Sequence, residues 1–210
     1  GLGDVYKRQT LSADDPIRVG IYQNEPLVFV DEDGHPSGFY VDLLDAIAAE
    51  EGWDLEYVEC LFPDCLALME QGDLDLMTAI AYSAEREQRF DFNRETVLVN
   101  WAQVYTRKGG PQSIIDLDGR TIAVVWEDIY YAQFQTLIED FDVSCQFIEV
   151  DDYGSVLERV EAGEADAGLV ARLYGLRHEG EYAVVRSPIL CCPSELRFAA
   201  PEGEGQALLE

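Results

Sequence analysis

Short apolar runs alternate with amphipathic stretches along almost the whole chain. Residues 17–22 read as a strand, and Asp31-Glu32-Asp33-Gly34 as a turn. Over 40–51 the apolar positions Val41, Leu44, Ile47 and Ala48 share one helical face, and Gly52 supplies the stop. Residues 53–59 then alternate, with Trp53, Leu55 and Tyr57 on one side, which is the period of a strand. Pro63 opens a second helix that Leu66 and Met69 line and Gly72 ends, and 74–80 is the next strand. Ser83 has the oxygen to cap a short helix with Glu85 in its first turn, where the helix dipole favours an acid. A long apolar strand over 97–106 is broken by Arg107-Lys108-Gly109-Gly110-Pro111. A second series follows: strand 120–125, helix 130–141, strand 145–150, helix 153–162, strand 165–170, a short helix near Arg172, strand 182–186, strand 195–200 and a helix from Gln206 that the chain end cuts off.

Strands separated by helices call for parallel sheets covered on both faces. The two series also echo each other. "GWDLEYVE…MEQGDLDLM" and "DVSCQFIEV…VEAGEADAGLV" share one plan of strand, helix, glycine stop (Gly72, Gly163) and an Asp (Asp75, Asp166) opening the next strand. The expectation is an α/β fold of two lobes, each a mostly parallel sheet flanked by helices. Residues 15–103 plus 188–210 form lobe 1 and 108–186 lobe 2, with hinge crossings near 103–108 and 186–192, and 1–14 a tail outside the core. A cleft between two such lobes is where a ligand binds by default.

Charge narrows the partners. With 42 acidic against 14 basic residues the net charge is −28, which repels nucleic acid and anionic membrane surfaces. An anionic ligand must therefore find local positive charge in its site. Lysine is confined to Lys7 and Lys108, a balance that suits a salty habitat. No run approaches the roughly 20 apolar residues of a membrane helix. Residues 1–10 lack the apolar core of a signal peptide and read as a linker, an upstream remnant or a non-native tail. Five cysteines leave at least one thiol outside intramolecular pairing. Their spacing does not fit zinc. They read either as buried thiols or, for Cys60 and Cys65 in an oxidising compartment, as a bridge. No cofactor or metal site is implied.

The order and spacing of several stretches resemble the type 2 periplasmic binding proteins, specifically the family 3 solute-binding proteins of amino-acid uptake. They are "IRVGIYQNEPLVFVDEDGHPSGFYVDLLDAIA" at 17–48, "LMEQGDLDLMTAIAYSAEREQRFDF" at 68–92, "VYTRKG" at 104–109, "IIDLDGRTIAVV" at 114–125 and "VEAGEADAGLV" at 160–170. The resemblance implies a hinged two-lobed receptor outside the cytoplasm with a small ligand between its lobes. Arg86 stands where the family grips a ligand carboxylate, and a guanidinium offers that group a planar bidentate fork. The bland reading of Arg86 is a surface pair with Glu85 or Asp91. Ser83 and the strand end Thr78-Ala79-Ile80 fall where the family supplies hydroxyl and backbone contacts, and Tyr22 ends the first strand beside them.

Departures from the family pattern matter as well. Val125-Trp126-Glu127-Asp128 replaces a hydroxyl-bearing helix start, Ala171 replaces the Asp that meets an α-ammonium, and Glu25-Pro26-Leu27 replaces an aromatic clamp. Glu127 or Asp128 can substitute for that Asp. Trp126 either stacks on the ligand or packs as a core or hinge-side aromatic. Arg172 is either a second positive group or a solvated helix residue. "VWEDIYYAQF", "GLVARLYG" and "PSELRFAAPEG" are nearer to the solute-binding modules of bacterial membrane sensors. Expected partners are thus a carboxylate-bearing small molecule and either a membrane permease or fused membrane signalling domains, with the isolated domain monomeric. A cyclohexadienyl-dehydratase-like enzyme on the same fold is the alternative. It would need an acid or base such as Glu127, Asp128 or Glu195, since His35 and His178 fall in predicted turns. A pure interaction domain is a third reading and predicts no ligand response.

Overall fold

The computed structural model describes residues 15–203 and 205–209, so the expected tail 1–14 lies outside them. Elements follow in the order β1 (Ile17–Ile21), β2 (Phe29–Val30), β3 (Pro36–Ser37), α1 (Phe39–Glu51), β4 (Leu55–Glu59), α2 (Phe62–Glu70), β5 (Leu76–Ala81), β6 (Phe90–Phe92) and β7 (Leu98–Thr106). The second series is β8 (Thr121–Val125), α3 (Ile129–Asp140), β9 (Gln146–Val150), α4 (Tyr153–Glu161), β10 (Ala167–Ala171), α5 (Arg172–His178), β11 (Val185–Pro201) and α6 (Gln206–Leu209).

Among the described residues the strands form one sheet in the order β4-β1-β5-β11-β7-β10-β8-β9, with β6 paired to β11, and a separate β2–β3 ribbon. β4, β1 and β5 are parallel at one end, and β10, β8 and β9 at the other. β7 and β11 run antiparallel to each other and to their neighbours and carry the sheet between the two parallel groups. Two hydrophobic cores result, one around Tyr40, Leu44, Leu66 and Phe90, the other around Phe134, Val156, Leu157 and Leu169.

The internal echo has a structural counterpart. The Asp75 carboxylate accepts from the Arg18 backbone N–H at 2.8 Å and from its guanidinium, tying the start of β1 to the start of β5. Asp166 accepts from the Thr121 N–H at 3.0 Å in the same place in the second series. Gly72 and Gly163 both take positive φ, 75° and 79°, so each helix can turn back toward its next strand.

One expectation is corrected. Separate strands over 182–186 and 195–200 are replaced by the single long β11. It keeps pairing with β7 through two register shifts, one between Arg186 and Leu190 and one between Cys191 and Ser194. Pro188 and Pro193 read as breaks in a sequence, but bulges let a strand absorb prolines and continue.

Candidate functional site

The C-terminal ends of β1, β5, β8 and β10 open on a cavity of about 450 Å³ lined by residues of both cores. Strand carboxyl ends are where open α/β sheets take ligands. The first core contributes Tyr22, Phe62, Ala79, Ala81, Arg86 and Leu196; the second contributes Val125, Ile129, Tyr130, Tyr153, Ala171 and Tyr174.

Arg86 is the buried cation of this cavity, 6% exposed. Its backbone N–H donates to Ser83 Oγ at 3.1 Å at the start of the short 3-10 turn Arg86–Gln88, and Ser83 does not line the cavity. Its Nη1 donates to the Ala81 carbonyl at 3.0 Å and its Nη2 to the Glu127 carbonyl at 2.5 Å, joining the two sides of the cavity. Two of five N–H donors are thus engaged and three remain. The guanidinium carbon lies 5.5 Å from the Phe62 ring centroid, and Phe62 packs at 5.0 Å against Tyr22. Burial pushes the Arg86 guanidinium down from its ordinary value, and nearby Asp128 pulls it back up. The surface pairing with Glu85 or Asp91 is therefore not what this side chain makes.

Asp128 faces the same space and caps α3, accepting from the Tyr130 N–H at 3.2 Å and the Tyr153 hydroxyl at 2.7 Å. Burial raises its carboxyl above the usual carboxylate range, against the Tyr153 hydrogen bond and the charge of Arg86. Glu59, Asp151 and Asp152 add carboxylates around the rim, and Asp152 caps α4 through the Ser155 N–H. Four lining polar atoms, the Tyr130 hydroxyl, Asn24 Oδ1, Asn100 Nδ2 and His178 Nε2, are buried without a hydrogen-bond partner among the described residues. The walls are aromatic and the polar groups few, as small-molecule sites are built.

The other expected residues distribute unevenly. Tyr22 lines the cavity and donates from its hydroxyl to the Ala79 carbonyl at 3.0 Å, and Ala79 lines it at φ 57°. Thr78 and Ile80 do not line it, because alternation in β5 turns them into the core at 0% exposure. Trp126 lies outside it at 41% exposure. Glu127 meets the cavity's edge through its carbonyl only, its carboxylate lying 3.5 Å from Arg89 on the outside. Arg172 opens α5 without lining the cavity.

His178 departs from the expected turn. It ends α5, stacks 4.3 Å from Tyr174 and lines the cavity. Arg177 Nε donates to the Glu25 carboxylate at 2.7 Å, an ion pair from α5 to the loop after β1, and His178 Nε2 lies 3.2 Å from the same carboxylate. Tyr130, Tyr153, Tyr174 and Phe62 were not singled out, since each occupies a core-facing position at a helix start or turn. Cys60 and Cys65 form a disulfide, and Cys60 lines the cavity with Leu61 and Phe62.

The model of the bacterial extracellular solute-binding proteins, family 3, matches residues 17–141. The chain belongs to this family. Among its relatives, PatH of Vibrio harveyi, named as an amino-acid ABC transporter-binding protein, is 31% identical over 172 residues. That match covers 80% of this chain, and the chain spans 66% of PatH. An ancestral arginine-binding protein bound to arginine superposes with a TM-score of 0.81 at 21% identity, covering 92% of this chain and 87% of that one. A histidine kinase sensor domain similar to periplasmic binding proteins gives 0.80 at 22%, covering 92% and 85%. At such identities the structures establish a shared fold, the two-lobed type 2 periplasmic binding fold. In this family 3 domain the cavity occupies the junction of the two lobes, and its floor is Arg86 and Asp128.

Proposed function

We propose that this domain is an extracytoplasmic receptor that closes on a small carboxylate-bearing solute, with Arg86 as the carboxylate anchor. The observation that carries the reading is the placement of Arg86. It is a buried guanidinium with three free donors, between an aromatic wall and a backbone carbonyl of the opposite lobe. Glu59, Asp128, Asp151 and Asp152 surround the rest of the cavity. Of the two substitutes the sequence offers for the missing Asp, Asp128 is the one in the cavity, so a solute with a cationic group besides its carboxylate meets complementary charge at both ends. Asp128 takes the place of the Asp missing at Ala171, and Tyr130, Asn24 and Asn100 supply the unsatisfied polar atoms that fix orientation.

The amino-acid binding named for the relatives supports this class of ligand. Two outputs fit the fold: docking on a membrane permease as the binding component of an ABC transporter, or relaying closure as the input domain of a membrane sensor. Either way, the ligand acts through its greater affinity for the closed form.

A thermal-shift screen over amino acids, dicarboxylates, polyamines and aromatic acids tests the reading. A ligand at about 100 Kd adds roughly 2.7 kcal/mol of stability. Arg86→Ala should abolish the response while the protein stays folded; an undiminished response removes Arg86 from the site. A dehydratase-like activity is the second reading, favoured by Asp128, a cavity carboxyl held toward its protonated form. Turnover of prephenate by the purified domain would establish it, and no turnover would eliminate it.

A further inference from the structure

Besides the Cys60–Cys65 disulfide, three thiols remain: Cys145, Cys191 and Cys192. Cys191 and Cys192 are consecutive in β11, and their sulfurs lie 2.8 Å apart, joined by an S–H···S hydrogen bond. That is about 0.8 Å longer than a covalent S–S bond. Cys192 sits at φ 59°, in the left-handed region that a residue with a Cβ enters only at a cost. The backbone is thus already turned so that two side chains which normally point to opposite faces of a strand meet.

The pair occupies a special place in the fold. Up to Arg186, β11 pairs with the end of β7 near the second core; from Leu196 it also pairs with β5 in the first. Cys191 is the last residue in register, opposite Ala102, before the shift that brings Ser194 opposite Asn100. The thiols therefore stand where the strand passes from one lobe to the other. The second core packs against them, and Ser194 Oγ donates to Gln133 of α3 at 3.3 Å beside them. Both cysteines are only partly buried, within reach of a small reagent.

We propose that Cys191 and Cys192 are a redox modification site that closes reversibly to a vicinal disulfide and fixes the path of β11 between the lobes. The co-reactant is a small-molecule disulfide, RSSR. One cysteine thiolate attacks it, forming a protein–SR mixed disulfide and expelling RS⁻, which takes up the proton the cysteine lost. The neighbouring sulfur then attacks the mixed disulfide, the protein S–S bond forms, and the second RS⁻ leaves with the second proton. Two protein thiols are oxidised and one RSSR is reduced to two RSH. In such a hydrogen-bonded pair the sulfur that accepts the S–H is the one favoured as thiolate and attacks first, while the other keeps its proton until the ring closes. Adjacent Cα atoms are about 3.8 Å apart, closer than the roughly 4.4–6.8 Å of unstrained bridges. The closed ring is therefore strained and easily reduced, as regulatory disulfides are.

The test uses the whole chain, oxidised glutathione as the oxidant, and no ligand, so its failure is separate from failure of the receptor reading. After oxidation and alkylation of remaining thiols, peptide mass mapping should show the 187–197 peptide short of two hydrogens. Cys145 should be alkylated in both states. Dithiothreitol should reopen the bond at concentrations that leave Cys60–Cys65 intact, and Cys192→Ser should lose the closure. Hydrogen exchange on the oxidised protein should slow at the amides of Cys191, Cys192 and Ser194. If both thiols stay alkylatable, or a stable glutathione adduct accumulates on either without ring closure, the site is refuted. Ring closure with unchanged exchange refutes the effect on the strand crossing.

Discussion

Burial and charge pull on Asp128 in opposite directions, and burial wins: its carboxyl sits above the usual range despite Tyr153 and Arg86. The consequence for stability has a definite sign. A carboxyl whose pKa is raised in the folded state binds more protons folded than unfolded. Its ionisation therefore costs stability as pH rises from the ordinary carboxylate value through the raised one. Asp128→Asn keeps an oxygen for the Tyr130 N–H and removes the charge. Denaturant melts from pH 4 upward should show the variant gaining on the wild type as pH rises; a constant difference would mean Asp128 ionises normally. The paired carboxylate Asp75 goes the other way: burial alone would raise it, and the Arg18 hydrogen bonds hold it down. At this scale Arg86 was readable, since its place in a motif and its fork geometry are properties of the residue. Tyr130, Tyr153 and Tyr174 were not, because a tyrosine on the apolar face of a helix looks the same whether it abuts a core or a cavity.

Most elements announced themselves in the chain. Helices α1 and α2 were visible from the spacing of their apolar residues and their glycine or proline boundaries, α3 and α4 as stretches between short apolar runs, and the parallel strands as those runs. What could not be read was pairing across the lobes: β11 contains Pro188, Pro193 and two adjacent cysteines, and only its partner β7 makes it one strand. The turn at 31–34 was readable, but the strands β2 and β3 on either side of it were not, because two residues per strand carry no periodicity. Close packing of β10 on α4 is equally hidden in sequence but can be tested. A Cβ on Gly168 would come within 2.6 Å of Val156 Cγ1 and 2.8 Å of Val160 Cγ2, both fully buried. Gly168→Ala should therefore destabilise by about 1–3 kcal/mol in equilibrium denaturation, and an unchanged midpoint would show that α4 can shift aside.

Across the whole molecule, a net charge of −28 on one small domain makes self-repulsion a global property. Screening lengths fall from about 10 Å at 0.1 M salt to about 3 Å at 1 M, so the melting temperature should rise over that range. A flat response would mean that the acidic surface is already neutralised by its local pairs. The joining of the lobes through β7 and β11 has a further consequence, in time. β5 is flanked by β1 on one side and by β11 on the other, paired with β11 from Ala81 opposite Leu196 to Met77 opposite Ala199. The ribosome makes β5 before the second series of elements and β11 after it, so that edge of β5 stays open while the second series is synthesised. The second lobe, drawn from one continuous stretch, can assemble meanwhile. The nascent first lobe presents a bare strand edge through that interval, and an exposed edge is a template for the wrong partner, making β11 the strand that ends its exposure.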